Sequence, residues 1–85
     1  MKTFSYVLKD PMGLHARPAG LLVKEARKYA SRITLTKNGK TVDALRLMAV
    51  MTLGCKGGDT LLVTAEGPDE EAAAQGIAQF LSENV

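Results

Sequence analysis

Tryptophan is absent from this 85-residue sequence, and cysteine and histidine occur once each, as Cys55 and His15. A single thiol makes no internal disulfide, and without a CxxC pair or a His/Cys cluster no zinc site is expected. The fold must therefore rest on packing alone. Aromatic residues make up only 5% of the chain. That is too few for the stacking platforms with which small β-sheet modules bind single-stranded RNA. No apolar run approaches the roughly 20 residues that span a bilayer. Met1 to Lys9 alternates polar and apolar residues, unlike a signal peptide, so a cytoplasmic location without membrane insertion is expected. There is no linker, repeat or low-complexity tract. What is present, 46% hydrophobic and 24% charged residues, is ordinary for a folded chain, and the length suits one domain over residues 1–85.

The net charge of +2 conceals a strong asymmetry. Residues 1–58 hold all eleven basic side chains against three acids, Asp10, Glu25 and Asp43, a net +8. Residues 59–85 hold no basic residue and six acids, Asp59, Glu66, Asp69, Glu70, Glu71 and Glu83, a net −6. Two readings stand: solvated faces that offset each other, or a basic face for an anionic substrate or an acidic partner.

Periodicity predicts four short strands and three helices. Lys2 to Lys9 alternates, with Phe4, Tyr6 and Leu8 on one face. After the turn cluster Asp10-Pro11-Met12-Gly13, residues Ala16 to Tyr29 have helical spacing, with Ala19, Leu22, Val23 and Ala26 in one stripe. Pro18 is tolerated only in a first turn, which places the helix start near His15 or Ala16. Arg32 to Lys37 and Lys40 to Ala44 flank Asn38-Gly39, a strong hairpin signal. Leu45 to Leu53 reads as a short helix ended by Gly54. Thr60 to Glu66 is the last strand, with Leu61, Val63 and Ala65 inward. Gly67-Pro68-Asp69 opens a final helix, with Asp69 as its N-cap and Ala73, Ile77, Phe80 and Leu81 as its stripe. The order β-α-β-β-α-β-α implies an α+β, two-layer open-faced sandwich: a four-stranded antiparallel sheet with three helices on one face. Such a fold fixes no function by itself.

His15 lies in Gly13-Leu14-His15-Ala16-Arg17-Pro18-Ala19, where a loop enters a helix. The backbone N–H groups of Ala16 and Arg17 would lack intrahelical acceptors at the positive end of the helix dipole. Arg17 adds a guanidinium suited to phosphate oxygens. A neutral imidazole nitrogen attacks an in-line phosphoryl group without a separate base, and oriented donors stabilise the transferred charge. On the residues alone two readings remain open: a structural histidine beside a solvated arginine, or an anion site with a phosphorylatable imidazole.

The segment resembles the phosphorylation-site motif of HPr, the histidine-containing phosphocarrier of the phosphoenolpyruvate:sugar phosphotransferase system. The likeness extends to Asn38-Gly39-Lys40, to Leu47 through Gly54 and to Ala65-Glu66-Gly67. It implies a stoichiometric carrier rather than an enzyme, needing no cofactor or metal. His15 would take a phosphoryl group through Nδ1 from phospho-enzyme I and hand it to the A domain of a sugar permease. Arg17 and the Ala16 N–H would hold its oxygens. The resemblance also implies a docking surface of Gly20, Lys24, Arg27, Arg46, Leu47, Met48 and Met51 on a monomeric protein. From pattern alone the methionines suit a core equally well, and Lys24 and Arg27 suit a solvated helix face.

Arg46 departs from the family, many of whose members carry a kinase-regulated serine there. Its arginine implies that this switch is missing. Leu45 replaces a common basic residue, Met12 a small polar one, and Gly20 a better helix former. A regulatory HPr-like binding module is therefore the alternative function. A nucleic-acid-binding module is the third reading, disfavoured by the shortage of aromatics.

Overall fold

The computed structural model describes all 85 residues. Its elements are β1 (Lys2–Val7), α1 (Ala16–Ala26), β2 (Arg32–Lys37), β3 (Lys40–Asp43), α2 (Leu47–Thr52), β4 (Thr60–Glu66) and α3 (Glu70–Asn84). The strands form one antiparallel sheet in the order β1-β4-β2-β3. β4 thus lies between β1 and β2, which run parallel to each other without pairing. Strict alternation makes the sheet two-faced. Leu8, Ile33, Leu35, Leu61, Val63 and Ala65 are buried, whereas Ser5, Val7, Arg32, Thr60, Leu62 and Glu66 are exposed. The helices cover the first face. Ala19, Leu22, Val23 and Ala26 of α1 and Ala73, Ile77 and Leu81 of α3 are buried as their spacing requires. Phe4, Tyr6 and Phe80 are half-buried and pack against this core. At the hairpin, Asn38 and Gly39 have φ of 50° and 82°, the two left-handed residues of a type I′ turn.

Several boundaries are tighter than periodicity suggests, and each has a local cause. β1 stops at Val7: Leu8 still donates to the Asp59 carbonyl opposite it, but its own carbonyl takes the Gly58 N–H and the Lys9 N–H turns to the Val85 carbonyl. α1 stops at Ala26 rather than Tyr29. Lys28 and Tyr29 donate to the carbonyls three residues back, a 3₁₀-like closing turn. The Tyr29 hydroxyl then donates to the Glu25 carboxylate at 2.9 Å. α2 starts at Leu47 rather than Leu45. The Asp43 carboxylate accepts the Leu45 N–H at 2.8 Å and its carbonyl accepts the Arg46 N–H, which makes a turn of those residues.

Asp69 is the N-cap residue of α3, as its position predicts, and its carbonyl accepts the Ala73 N–H at 2.9 Å, but its side chain does not cap the helix. Its carboxylate makes no bond to the first turn of α3. It accepts the N–H groups of Ala30 and Ser31, both at 2.9 Å, and the Ser31 hydroxyl. Those two N–H groups follow a helix and precede a strand, so neither element satisfies them; a carboxylate from across the fold does. The Glu70 carboxylate meanwhile accepts the Gly67 N–H at 3.2 Å.

Candidate functional site

The loop before α1 is held in place by backbone. Gly13 donates to the Asp10 carbonyl at 2.8 Å and Leu14 to the Cys55 carbonyl at 3.0 Å. Gly57 and Gly58 donate back to the carbonyls of Pro11 and Leu8. Gly13 has φ +61°, and a Cβ there would sit 2.1 Å from the Cys55 carbonyl oxygen. Only glycine permits this approach. Cys55 itself is buried, and that burial pushes its thiol above the ordinary range despite the opposing pull of Lys37. Burial of this kind suits a small packing residue rather than a reactive thiol.

His15 is the N-cap residue of α1, in extended conformation, and its ring makes no hydrogen bond to the chain. Its carbonyl accepts the Ala19 N–H at 2.9 Å, which starts the helix. Pro18 stands in the first turn, where no N–H is required. The N–H groups of Ala16 and Arg17 have no acceptor in the chain. His15 is half-buried, and Ala16 and Arg17 are exposed. An open pocket of about 110 Å³ lies here, walled by Asp10, His15, Arg17, Pro18, Leu21 and Asn84.

Asp10 and Asn84 are additions that sequence reading missed. Asp10 was legible only as a turn residue, and its carboxylate does accept the Met12 N–H at 2.9 Å. Asn84 lies 69 positions from His15 and reaches it because the Val85 carbonyl accepts the N–H groups of Lys9 and Asp10 at 2.7 and 2.8 Å. No local signal announces such a contact.

Of the other sequence-named residues, Lys24, Arg27 and Arg46 are exposed. None of them, nor Arg17, joins an ion pair; the cations that do are the N-terminal amine, Lys28 and Lys37. Leu47, Met48 and Met51 are also exposed, Met48 to 72%, while Val50 is buried. The methionines are therefore surface, not core. Met12 and Leu21 are exposed apolar residues as well. Gly20 is half-buried on α1, which packs against α2.

The two-layer α+β sandwich thus places a lone histidine at a helix N-terminus, followed by N–H donors without acceptors and an arginine outside any ion pair. Comparisons with known proteins specify the class. Residues 2–83 match the family described as the PTS HPr component phosphorylation site. The chain is 44% identical over 75 residues to the phosphocarrier protein HPr of Buchnera aphidicola, covering 88% of each. It superposes on the crystal structure of HPr from Thermoanaerobacter tengcongensis with a TM-score of 0.93 and 38% identity, covering 98% of this chain and 93% of that one. The Bacillus subtilis catabolite repression protein Crh, solved as a swapped dimer, matches at 0.79 and 35% identity, covering 100% and 98%. The chain belongs to the HPr family of phosphocarrier proteins of the phosphotransferase system.

Proposed function

We propose that the protein is a phosphoryl carrier that accepts the group on His15 from phospho-enzyme I and passes it to the A domain of a sugar permease. The observation that carries this is the unbonded His15 ring at the mouth of a pocket shared with the unpaired Arg17, one residue before two N–H groups without acceptors. A ring nitrogen attacks phosphorus in line; the new P–N bond forms as that on the donor histidine breaks. The charge on the three phosphoryl oxygens then faces the Ala16 and Arg17 N–H groups and the Arg17 guanidinium. Onward transfer is the same displacement with His15 as leaving group. Each cycle returns the carrier unchanged and converts no small molecule.

Leu47, Met48 and Met51, with Gly20 beside them and Lys24, Arg27 and Arg46 around them, form the docking face. Methionines adapt to several partners, and the unpaired cations suit acidic ones. We read the protein as one cytoplasmic, monomeric HPr-like domain. The second reading, a regulatory module not dedicated to sugar uptake, is favoured by Arg46 and by the likeness to Crh. The His15–Arg17 pair favours the carrier. Incubation with enzyme I and phosphoenolpyruvate is expected to give an acid-labile, alkali-stable phosphate. His15→Ala abolishes it, and Arg17→Ala slows transfer about 100-fold. An unlabelled wild type, or equal labelling of the alanine variant at position 15, overturns the carrier reading.

A further inference from the structure

Asp10 lines, with His15 and Arg17, the pocket in which a phosphoryl group on His15 would lie. Its position is tightly set. Its N–H donates to the Val85 carbonyl, its carbonyl accepts the Gly13 N–H, and its carboxylate accepts the Met12 N–H. A Cβ at Gly57 would lie 2.8 Å from its carbonyl oxygen, so the neighbouring loop leaves it no room to retreat. No cation pairs with it. The residues lining the pocket thus include one cation, Arg17, and one acid, Asp10. An enzyme that only needed to bind phosphate would gain nothing from that acid. A carrier gains from it, because a phosphohistidine held too well is not passed on.

We propose that Asp10 is a charge-setting residue that lowers the stability of the phosphorylated state and so favours onward transfer. The inference rests on the reading of His15 as phosphoryl acceptor. It acts by like-charge repulsion between the carboxylate and the phosphoryl oxygens across a solvent-open pocket, so its size is modest and salt screens it. Asp10→Asn removes the charge and keeps an oxygen for the Met12 N–H, which separates charge from loop geometry. Asn84→Asp adds a second carboxylate to the pocket lining, giving up the Asn84 Nδ2 bond to the Phe80 carbonyl, and should act in the opposite direction.

The test needs no enzyme I. Wild type, Asp10→Asn and Asn84→Asp are treated with phosphoramidate. Its P–N bond breaks, a His15 N–P bond forms, and ammonia leaves with the imidazole proton. After removal of the reagent, decay of the phosphohistidine is followed by release of inorganic phosphate as water attacks phosphorus. At low ionic strength Asp10→Asn should lengthen the lifetime about threefold and Asn84→Asp should shorten it by a similar factor. Both differences should shrink in about 1 M salt, where the Debye length is only about 3 Å. Equal lifetimes of Asp10→Asn and wild type, shifts of both variants in one direction, or differences that persist in high salt overturn the proposal. Failure of enzyme I to label a protein that phosphoramidate does label would overturn the carrier reading and leave these lifetimes unmoved. No phosphohistidine after phosphoramidate would overturn both.

Discussion

Gly13 and Gly20 lie seven residues apart and differ in what a methyl group would meet. At Gly13 it meets the Cys55 carbonyl, with the backbone already at φ +61°. At Gly20, within α1, it meets nothing within 4 Å. Gly13→Ala should therefore destabilise the protein by roughly 2 kcal/mol or more, because both the left-handed backbone and the loop contact must give way. Gly20→Ala should stabilise it by about 0.5–1 kcal/mol, the helix-propensity difference. Urea midpoints of the two variants at neutral pH check both signs; a stable Gly13→Ala protein would refute the account of the loop. The sequence marked Gly13 as a turn residue but could not name Cys55 as the reason, since that contact spans 42 positions.

At the scale of elements, α2 is the weakest, with six residues, one of them buried, and no side-chain cap. Arg46 occupies its N-cap in extended conformation and puts a positive charge at the positive end of the helix. Arg46→Ser supplies a hydroxyl for the free first-turn N–H groups and removes that charge. It should raise stability by about 1 kcal/mol, read as an increased denaturation midpoint with unchanged slope. No gain would mean that the Asp43 turn, rather than the cap, governs where α2 begins. The element order and the apolar stripes were legible because each follows a local period. The ends of β1, α1 and α2 were not, since each is decided by a competing hydrogen bond: Lys9 to Val85, Tyr29 to Ala26, Leu45 to Asp43. Asp69 shows the same limit. Its place before a helix predicts the N-cap position it does occupy, but its carboxylate is claimed by the N–H groups of Ala30 and Ser31, 38 to 39 positions away.

Across the whole molecule, Asp69 ties the turn between α1 and β2 to the start of α3. The Ser31 hydroxyl, followed by the Ala30 N–H, holds its carboxyl below the usual carboxylate range. Glu25, Asp59 and Glu70 are lowered too, chiefly by Lys28, by the Lys56 N–H and by the N-terminal amine respectively. A depressed carboxylate contributes its full stability above the unfolded value of about 3.9 for aspartate and loses it as pH falls through the lower folded value. The thermal midpoint should thus be flat from pH 7 to about 5 and fall below about pH 4. In Asp69→Asn it should start lower and fall less steeply, and identical pH profiles would refute this role.

The charge asymmetry also resolves at this scale. α3 runs 15 residues, about 22 Å, from its acidic first turn to the pocket at its far end. Glu70 and Glu71 therefore stand well away from His15, where Arg17, outside any ion pair, lines the pocket. The sequence by itself determined the strands, the helices, the two-faced sheet and the chemistry of the Gly13–Ala19 segment, because these depend on spacing and residue type. Only the tertiary structure decided that β4 separates β1 from β2, that the methionines of α2 face outward and that Asp10 and Asn84 join His15. Those outcomes depend on which surfaces meet across long stretches of chain, where backbone groups left over by one element are satisfied by another.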